Sequence, residues 1–244
     1  MTQDTRGLSL LARIQRRYQT VTQTLRFGPL EFPFTRIKEP DRVLDDACAE
    51  EDRRDKLQGK QRPGEELSLP YWAELWDSAV GVGQFLVANQ ASLPHPSVLD
   101  LGCGMGLAGT VAAALGWSVT LADLERLALL FARLNTEPWR ARARIRRVDW
   151  RVDRLDEQFD LILGADVLYD RAQWDHLNRF WQLHLQEEGQ ILLGEPGRQT
   201  GEMFVDWIRD RGWSLEEFAE KVPARERPLR IFRLTRPALL NRDA

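Results

Sequence analysis

The sequence predicts an α/β domain: a doubly wound, largely parallel sheet of seven strands with helices on both faces, preceded by an N-terminal accessory segment. Three observations carry this. Short apolar, strand-like runs alternate with helical runs from Val98 to Leu193, the pattern of βαβ units. A glycine-rich turn, Asp100-Leu-Gly-Cys-Gly-Met-Gly106, lies between the first of these strands and its helix. An acid, Asp123, closes the next strand.

Taken in order, Leu8 to Arg17 is a short helix. Tyr18 to Leu25 alternates and is rich in β-branched residues, Gly28-Pro29 is a turn signal, and Glu31 to Ile37 returns as a second strand, so a β-hairpin is expected. Residues 41–66 mix charges of both signs, which suits an exposed helix, with a polar loop from Gly59 to Glu66. The accessory segment is thus placed at 1–68 and the main domain at 69–244. Pro70 to Trp76 leads into an amphipathic helix ending near Asn89, and Pro94 and Pro96 break it. Core strands are expected at Val98–Leu101, Ser118–Ala122, Ala143–Val148, Phe159–Leu163 and Gly189–Leu193. The helices between and after them are Leu107–Leu115, stopped by Gly116, then Leu124–Asn135, Trp174–Leu185 and Glu202–Arg211. Two late strands, Leu215–Phe218 and Leu229–Leu234, are expected to close one edge as an antiparallel hairpin.

Composition narrows the function classes. The chain has 244 residues, 43% hydrophobic and 29% charged, enough for a sizeable core without disulfides or metals. A formal net charge of −3 provides no global attraction to nucleic acid or anionic membrane. Two cysteines and three scattered histidines form no disulfide framework and no metal-ligand spacing, so no metal is expected and a reducing cytoplasm is the expected compartment. No apolar run approaches the ~20 residues that span a bilayer. The arginines from Arg140 to Arg154 are diluted by Asp149, Asp153, Asp156 and Glu157, and read as a solvent-facing edge rather than an RNA surface. Cys103 reads as a small buried filler and His95 as a loop residue.

Chemistry concentrates at the glycine turn. Gly102, Gly104 and Gly106 allow positive φ and let the backbone approach a ligand closely. Asp123 is placed to accept hydrogen bonds from the vicinal hydroxyls of a ribose. The run is GxGxG rather than the GxGxxG of dinucleotide sites, and it follows a carboxylate, Asp100. A pyrophosphate disfavours such a neighbour, whereas a cationic amino or sulfonium group accepts it.

This turn resembles motif I of the class I, seven-stranded S-adenosylmethionine-dependent methyltransferases. Asp149-Trp150 is similar to their acidic and aromatic positions at the adenine. Gly164-Ala-Asp-Val-Leu-Tyr-Asp170 resembles the (D/E)xx(Y/F) motif of the lysine-methyltransferase-like group, methyltransferase family 16, with Asp166 and Tyr169 in its two fixed positions. Pro70 to Ser78 resembles the Trp-containing segment before motif I in that group. Gly194-Glu-Pro-Gly-Arg198 is similar to a GDPGR segment of the lysine methyltransferases of the electron-transfer-flavoprotein β-subunit. Glu195 stands where that segment carries Asp, and Glu74-Leu-Trp76-Asp77 replaces a more apolar stretch.

The resemblance implies a Rossmann-like fold and the cofactor S-adenosyl-L-methionine. It implies transfer of a methyl group to a protein lysine, with a small-molecule N- or O-acceptor, such as an amine, as the alternative and a non-catalytic cofactor-binding scaffold as the alternative of another class. The cofactor residues implied are Trp76, Asp100, Gly102, Gly104, Gly106, Asp123, Asp149, Trp150 and Asp166. Trp76 would offer an electron-rich face to the sulfonium, and Trp72, four residues earlier, would share a helix face with it. Asp166 and Tyr169 are the candidate catalytic pair, with Asp166 accepting from an amine and Tyr169 closing the acceptor channel. Glu74 and Glu195 are candidate contacts for a cationic acceptor. The N-terminal segment is expected at the mouth of the site.

Overall fold

A computed structural model describes residues 3–58, 70–94, 97–223 and 225–236. The Gly59–Glu66 loop and His95 lie outside the described residues, as does the boundary expected between residues 68 and 69. Helix α1 (Gln3–Gln15) precedes strands β1 (Thr20–Phe27) and β2 (Leu30–Ile37), and α2 (Pro40–Gln58) follows. After the gap come α3 (Asp77–Asn89), β3 (Ser97–Leu101), α4 (Leu107–Ala114), β4 (Ser118–Asp123), α5 (Arg126–Asn135) and β5 (Ala143–Arg147). The chain continues with β6 (Phe159–Ala165), α6 (Trp174–His184), β7 (Leu185–Glu195), α7 (Gln199–Arg209), β8 (Ser214–Glu220) and β9 (Leu229–Thr235).

The seven strands from β3 to β9 form one sheet in the order β5-β4-β3-β6-β7-β9-β8. Strands β3 to β7 pair in parallel, and β9 runs antiparallel to both β7 and β8. The late hairpin therefore reverses only one strand relative to the sheet, because β8 comes back parallel to β7 at the edge. Side chains alternate between the two faces. Val98, Leu121, Leu161, Leu163 and Leu192 join the core under α3, α4 and α5, while Leu99, Leu101, Ile162, Ile191 and Leu193 join the core under α6 and α7. Near-continuous apolar runs in these strands are what a sheet buried on both faces requires.

The β1–β2 hairpin pairs from Thr20↔Ile37 to Phe27↔Leu30, two residues further along than expected on its first strand. It lays Phe27, Phe32 and Phe34 into the same core as α3, α4 and α5. Helix α3 is less amphipathic than its sequence suggested. Gly81, Val82, Gly83, Phe85 and Leu86 are all buried because α3 is packed between the sheet and that hairpin. The arginine-rich stretch runs along edge strand β5. There Arg140 pairs with Glu137 at 3.1 Å, Arg144 with Glu157 at 3.5 Å, and Arg151 with Asp149 at 2.7 Å. Among the described residues, no helix is long and apolar enough to cross a membrane.

The order β4-β3-β6 places a topological switch point between β3 and β6. From β3 the chain goes one way to β4, and after β5 it crosses back to β6 on the other side. Ligands of open α/β sheets bind in the crevice at the carboxyl ends of strands at such a point.

Candidate functional site

A cavity of about 730 Å³ opens at this crevice, a size typical of small-molecule sites. The turns after β3, β4, β5 and β6 line it on one side and the segment before α3 on the other.

The glycine turn forms its floor. Gly102, Gly104 and Gly106 have φ of +68°, +52° and +84°, a backbone that non-glycine residues rarely adopt. The Gly102 and Cys103 amides donate to the Ala122 carbonyl at 2.8 and 3.0 Å, which folds the turn back over β4. Gly102 and Gly104 line the cavity, but Gly106 does not. A Cβ on Gly106 would lie 2.9 Å from both Ala132 and Leu121, so this glycine serves the close packing of α4 on β4 and α5.

Asp123 faces the cavity with its carboxylate fixed by the backbone. One oxygen accepts from the Gly104 amide and the other from the Glu125 amide, both at 2.8 Å. Burial raises its pKa above the ordinary carboxylate value, and these amide bonds oppose the rise. Each oxygen keeps further acceptor capacity toward the cavity.

Asp100 is displaced from its expected place. It does not line the cavity; its carboxylate is buried beneath the turn and accepts from the Gly109 amide in the first turn of α4 at 2.8 Å. Its contribution is to hold the turn against the helix rather than to touch a ligand. Burial pushes its pKa up to about 7, with the nearby Asp123 charge adding to the effect. The unfolded chain ionises Asp100 near pH 4, whereas the folded one keeps the proton to about pH 7. Stability from this group therefore falls as pH rises across that window and is level above it. Asp100→Asn, which preserves an acceptor for Gly109, is expected to match the parent near pH 4 and to exceed it by a few kcal/mol near pH 7. Urea denaturation of both proteins from pH 4 to 8 checks this, and parallel curves would refute it.

Asp149 and Trp150 both line the cavity. Both Asp149 oxygens bond the Arg151 guanidinium, at 2.8 and 2.7 Å, and this pairing lowers the Asp149 pKa. Trp150 is oriented by a hydrogen bond from its ring N–H to Gln173 at 3.2 Å. Cys103, expected as a buried filler, instead stands on the cavity wall; burial and the Asp100 and Asp123 charges raise its thiol pKa and keep it protonated.

On the other side, Trp76 lines the cavity with its ring N–H donating to the Tyr71 carbonyl at 2.9 Å. The helix face expected to join Trp72 and Trp76 does not exist. Trp72 sits in a 3-10 turn, Tyr71–Ala73, and Trp76 has extended backbone as the residue capping α3. Trp72 points mainly into the core, edge-on to Tyr18 and tilted against Phe131.

Asp166 is the one non-glycine residue at positive φ among the described residues, at +57°. Such strain persists where the surroundings over-determine it, and functional sites are where it clusters. Here its amide donates to the Gly194 carbonyl at 2.9 Å, and its nearly buried carboxylate is clamped by Arg198 through two bonds of 3.0 and 2.8 Å. Arg198 takes one acceptor site on each Asp166 oxygen and fixes the carboxylate's orientation beside the cavity that it lines. The Arg198 guanidinium lies 5.7 Å from the Trp76 ring centroid and so ties both walls together. Sequence reasoning missed this role of Arg198: the residue was legible in its segment, but its partner lies 32 positions away.

Glu195 is also displaced. It is buried, bonded by Arg230 at 2.7 Å and by the Gly197 amide at 2.8 Å, so it shapes the Arg198 loop from inside and is not an acceptor contact. Glu74 does line the cavity, and burial raises its pKa. Tyr169 is 43% exposed at the mouth, its ring 5.3 Å from that of Tyr71 on the opposite wall. The described N-terminal residues contribute nothing to the lining. Six carboxylates (Glu74, Asp123, Glu125, Asp149, Asp166, Asp170) and two arginines (Arg151, Arg171) line the cavity, so its field favours cations.

This sheet order, with its single reversed strand, is that of the class I methyltransferase fold. Solved structures of that fold superpose on the chain: the glycopeptide N-methyltransferase MtfA at a TM-score of 0.58 and 16% identity, over 66% of this chain and 90% of that one. The magnesium protoporphyrin IX methyltransferase ChlM from Synechocystis PCC 6803, solved with bound SAM, gives 0.54 and 18%, over 82% and 98%. The family description "lysine methyltransferase" matches residues 57–210, well over half the chain, and the chain belongs to that family. Among curated relatives, the electron transfer flavoprotein beta subunit lysine methyltransferase of Danio rerio is 32% identical over 131 residues, 53% of this chain and 51% of the relative. Protein N-lysine methyltransferase METTL21A of Xenopus tropicalis is 35% identical over 127 residues, 50% of this chain and 58% of the relative. The chain spans about half the length of these curated relatives.

Proposed function

We propose that the protein is an S-adenosyl-L-methionine-dependent methyltransferase that modifies a protein lysine side chain, with residues 69–244 as the transferase domain and 1–68 as its accessory segment. The observation that carries this reading is the pairing of Gly104 and Asp123 at the switch-point cavity, inside a ring of carboxylates. The cavity suits the cofactor: close backbone at Gly102 and Gly104, a fixed acceptor at Asp123 for ribose hydroxyls, Trp150 for the adenine, and Trp76 and acidic walls for a sulfonium and an ammonium. When bound, the cofactor supplies an electrophilic methyl group.

The chain's own residues supply position and dielectric. Asp123 and the glycine turn hold one end of the cavity and Trp150 its adenine side. Asp149, tied to Arg151, reaches the cavity through acceptor capacity its ion pair leaves over. Asp166, paired with Arg198, fixes the wall between Trp76 and the β6 turn. Tyr71 and Tyr169 flank the mouth, where their rings steer an entering ammonium; desolvation further in lowers its pKa against the opposing pull of the surrounding carboxylates. The exposure of Tyr71 and Tyr169 at the mouth favours an acceptor presented by a protein. Two unpaired cysteines suit a reducing compartment, the cytoplasm.

Titration calorimetry with S-adenosylhomocysteine tests the cofactor half, with binding in the micromolar range expected. Incubation of labelled cofactor with cell lysate tests the acceptor half. Label is expected on lysine in the protein fraction; label confined to RNA or small molecules would replace the protein acceptor with another.

A further inference from the structure

Asn135, the last residue of α5, makes three hydrogen bonds that join distant parts of the chain. Its Oδ1 accepts from the Thr35 amide at 2.8 Å, and its Nδ2 donates to the Thr35 carbonyl at 3.0 Å and to the Met105 carbonyl at 3.0 Å. Asn135 is buried, and both Nδ2 hydrogens are used. The side-chain amide stands against the free edge of β2 as a neighbouring strand would, satisfying both backbone groups of Thr35. Its remaining donor holds the carbonyl of Met105, the residue between Gly104 and Gly106, in the turn that forms the cavity floor. Buried amides of this kind are costly to break, because each lost partner leaves a desolvated group unpaired.

We propose that Asn135 is a positioning residue that couples the N-terminal hairpin to the cofactor site. Docking of the hairpin fixes Asn135, Asn135 fixes the Met105 carbonyl, and the Gly104 amide is thereby held on Asp123. The hairpin thus sets cofactor affinity without touching the cofactor. By reciprocity, cofactor binding stiffens the hairpin, so anything that engages the hairpin acts on cofactor affinity. This rests on the cofactor reading above.

The test uses the full chain, with Asn135→Ala and Asn135→Asp. The Asp variant keeps an acceptor for Thr35 but loses both donors. S-adenosylhomocysteine is titrated at a temperature where circular dichroism shows all three proteins folded, and the dissociation constant is expected to rise at least tenfold in both variants. Hydrogen exchange on the parent protein alone gives a second readout. Saturating S-adenosylhomocysteine is expected to slow the amides of residues 30–37 several-fold more than those of β8 and β9 at the far edge. Dissociation constants within twofold of the parent overturn the coupling. So does equal slowing of the two hairpins, which a purely structural role would produce, and this readout stands even if the variants do not fold. A parent protein that does not bind S-adenosylhomocysteine overturns the cofactor reading, and this inference with it.

Discussion

Replacing Asp123 by alanine is expected to raise the dissociation constant for S-adenosylhomocysteine at least a hundredfold. Two effects combine. The carboxylate would supply charge-assisted hydrogen bonds to ribose, each worth roughly 1.5–3 kcal/mol, and about 2.7 kcal/mol corresponds to a hundredfold. The same oxygens hold the Gly104 and Glu125 amides at 2.8 Å, so their loss also frees the floor of the cavity. Stability is expected to fall by about 2–4 kcal/mol, because two half-buried amides lose their partners. Calorimetry and urea denaturation read the two effects separately. Affinity within tenfold of the parent would remove Asp123 from the cofactor site. The raised pKa of Asp123 adds a pH signature, since affinity should begin to decline at a higher pH than an exposed carboxylate would produce.

The second large effect concerns the Asp166–Arg198 pair. Arg198→Met leaves the Asp166 carboxylate buried at 5% side-chain exposure, at a strained φ of +57°, with no counter-ion. Removing one partner of a buried pair costs about 3–5 kcal/mol, and the lower end applies here because Arg198 is 42% exposed. Asp166→Asn leaves the exposed partner behind and keeps a residue type that tolerates positive φ, so about 1 kcal/mol is expected. The double variant should be no less stable than Arg198→Met alone. A double-mutant cycle by urea denaturation measures this asymmetry, and equal single-variant losses that add would refute the clamp.

Much of this was legible in the sequence. Strand–helix alternation places β3, β4, β6 and the second half of β7 within a few residues because their apolar runs are buried on both faces, whereas edge strand β5 carries Arg144, Arg146 and Arg147 and is marked only by its position in the alternation. The glycine turn and Asp123 were readable because φ above zero and a strand-end carboxylate are local requirements, met within 22 consecutive positions from Gly102 to Asp123. Trp76, Asp149, Trp150, Asp166 and Tyr169, singled out from their segments, all line one cavity.

Pairings were not legible. Glu195 and Asp166 are both acids after a strand, yet one is spent on Arg230 and the other on Arg198, and only packing decides which arginine reaches which carboxylate. Asp100 was expected to act on the cofactor through water or backbone; its side chain turns beneath the glycine turn to the Gly109 amide, a partner that the sequence does not carry. Trp72 and Trp76 have helical spacing, but the backbone there is a 3-10 turn followed by extended chain, so spacing alone misled.

By itself, then, the sequence determined the sheet, the order of its elements and the turn that builds the cavity floor, since each depends on residues close together in the chain. Tertiary structure alone decided which charges cancel, which carboxylates stay turned to the cavity, and that residue 35 is joined to residue 105 through Asn135. The physical reason is that backbone conformation and burial pattern are set locally, whereas the partner of a buried charge or amide is set by whichever group folding brings within about 3 Å.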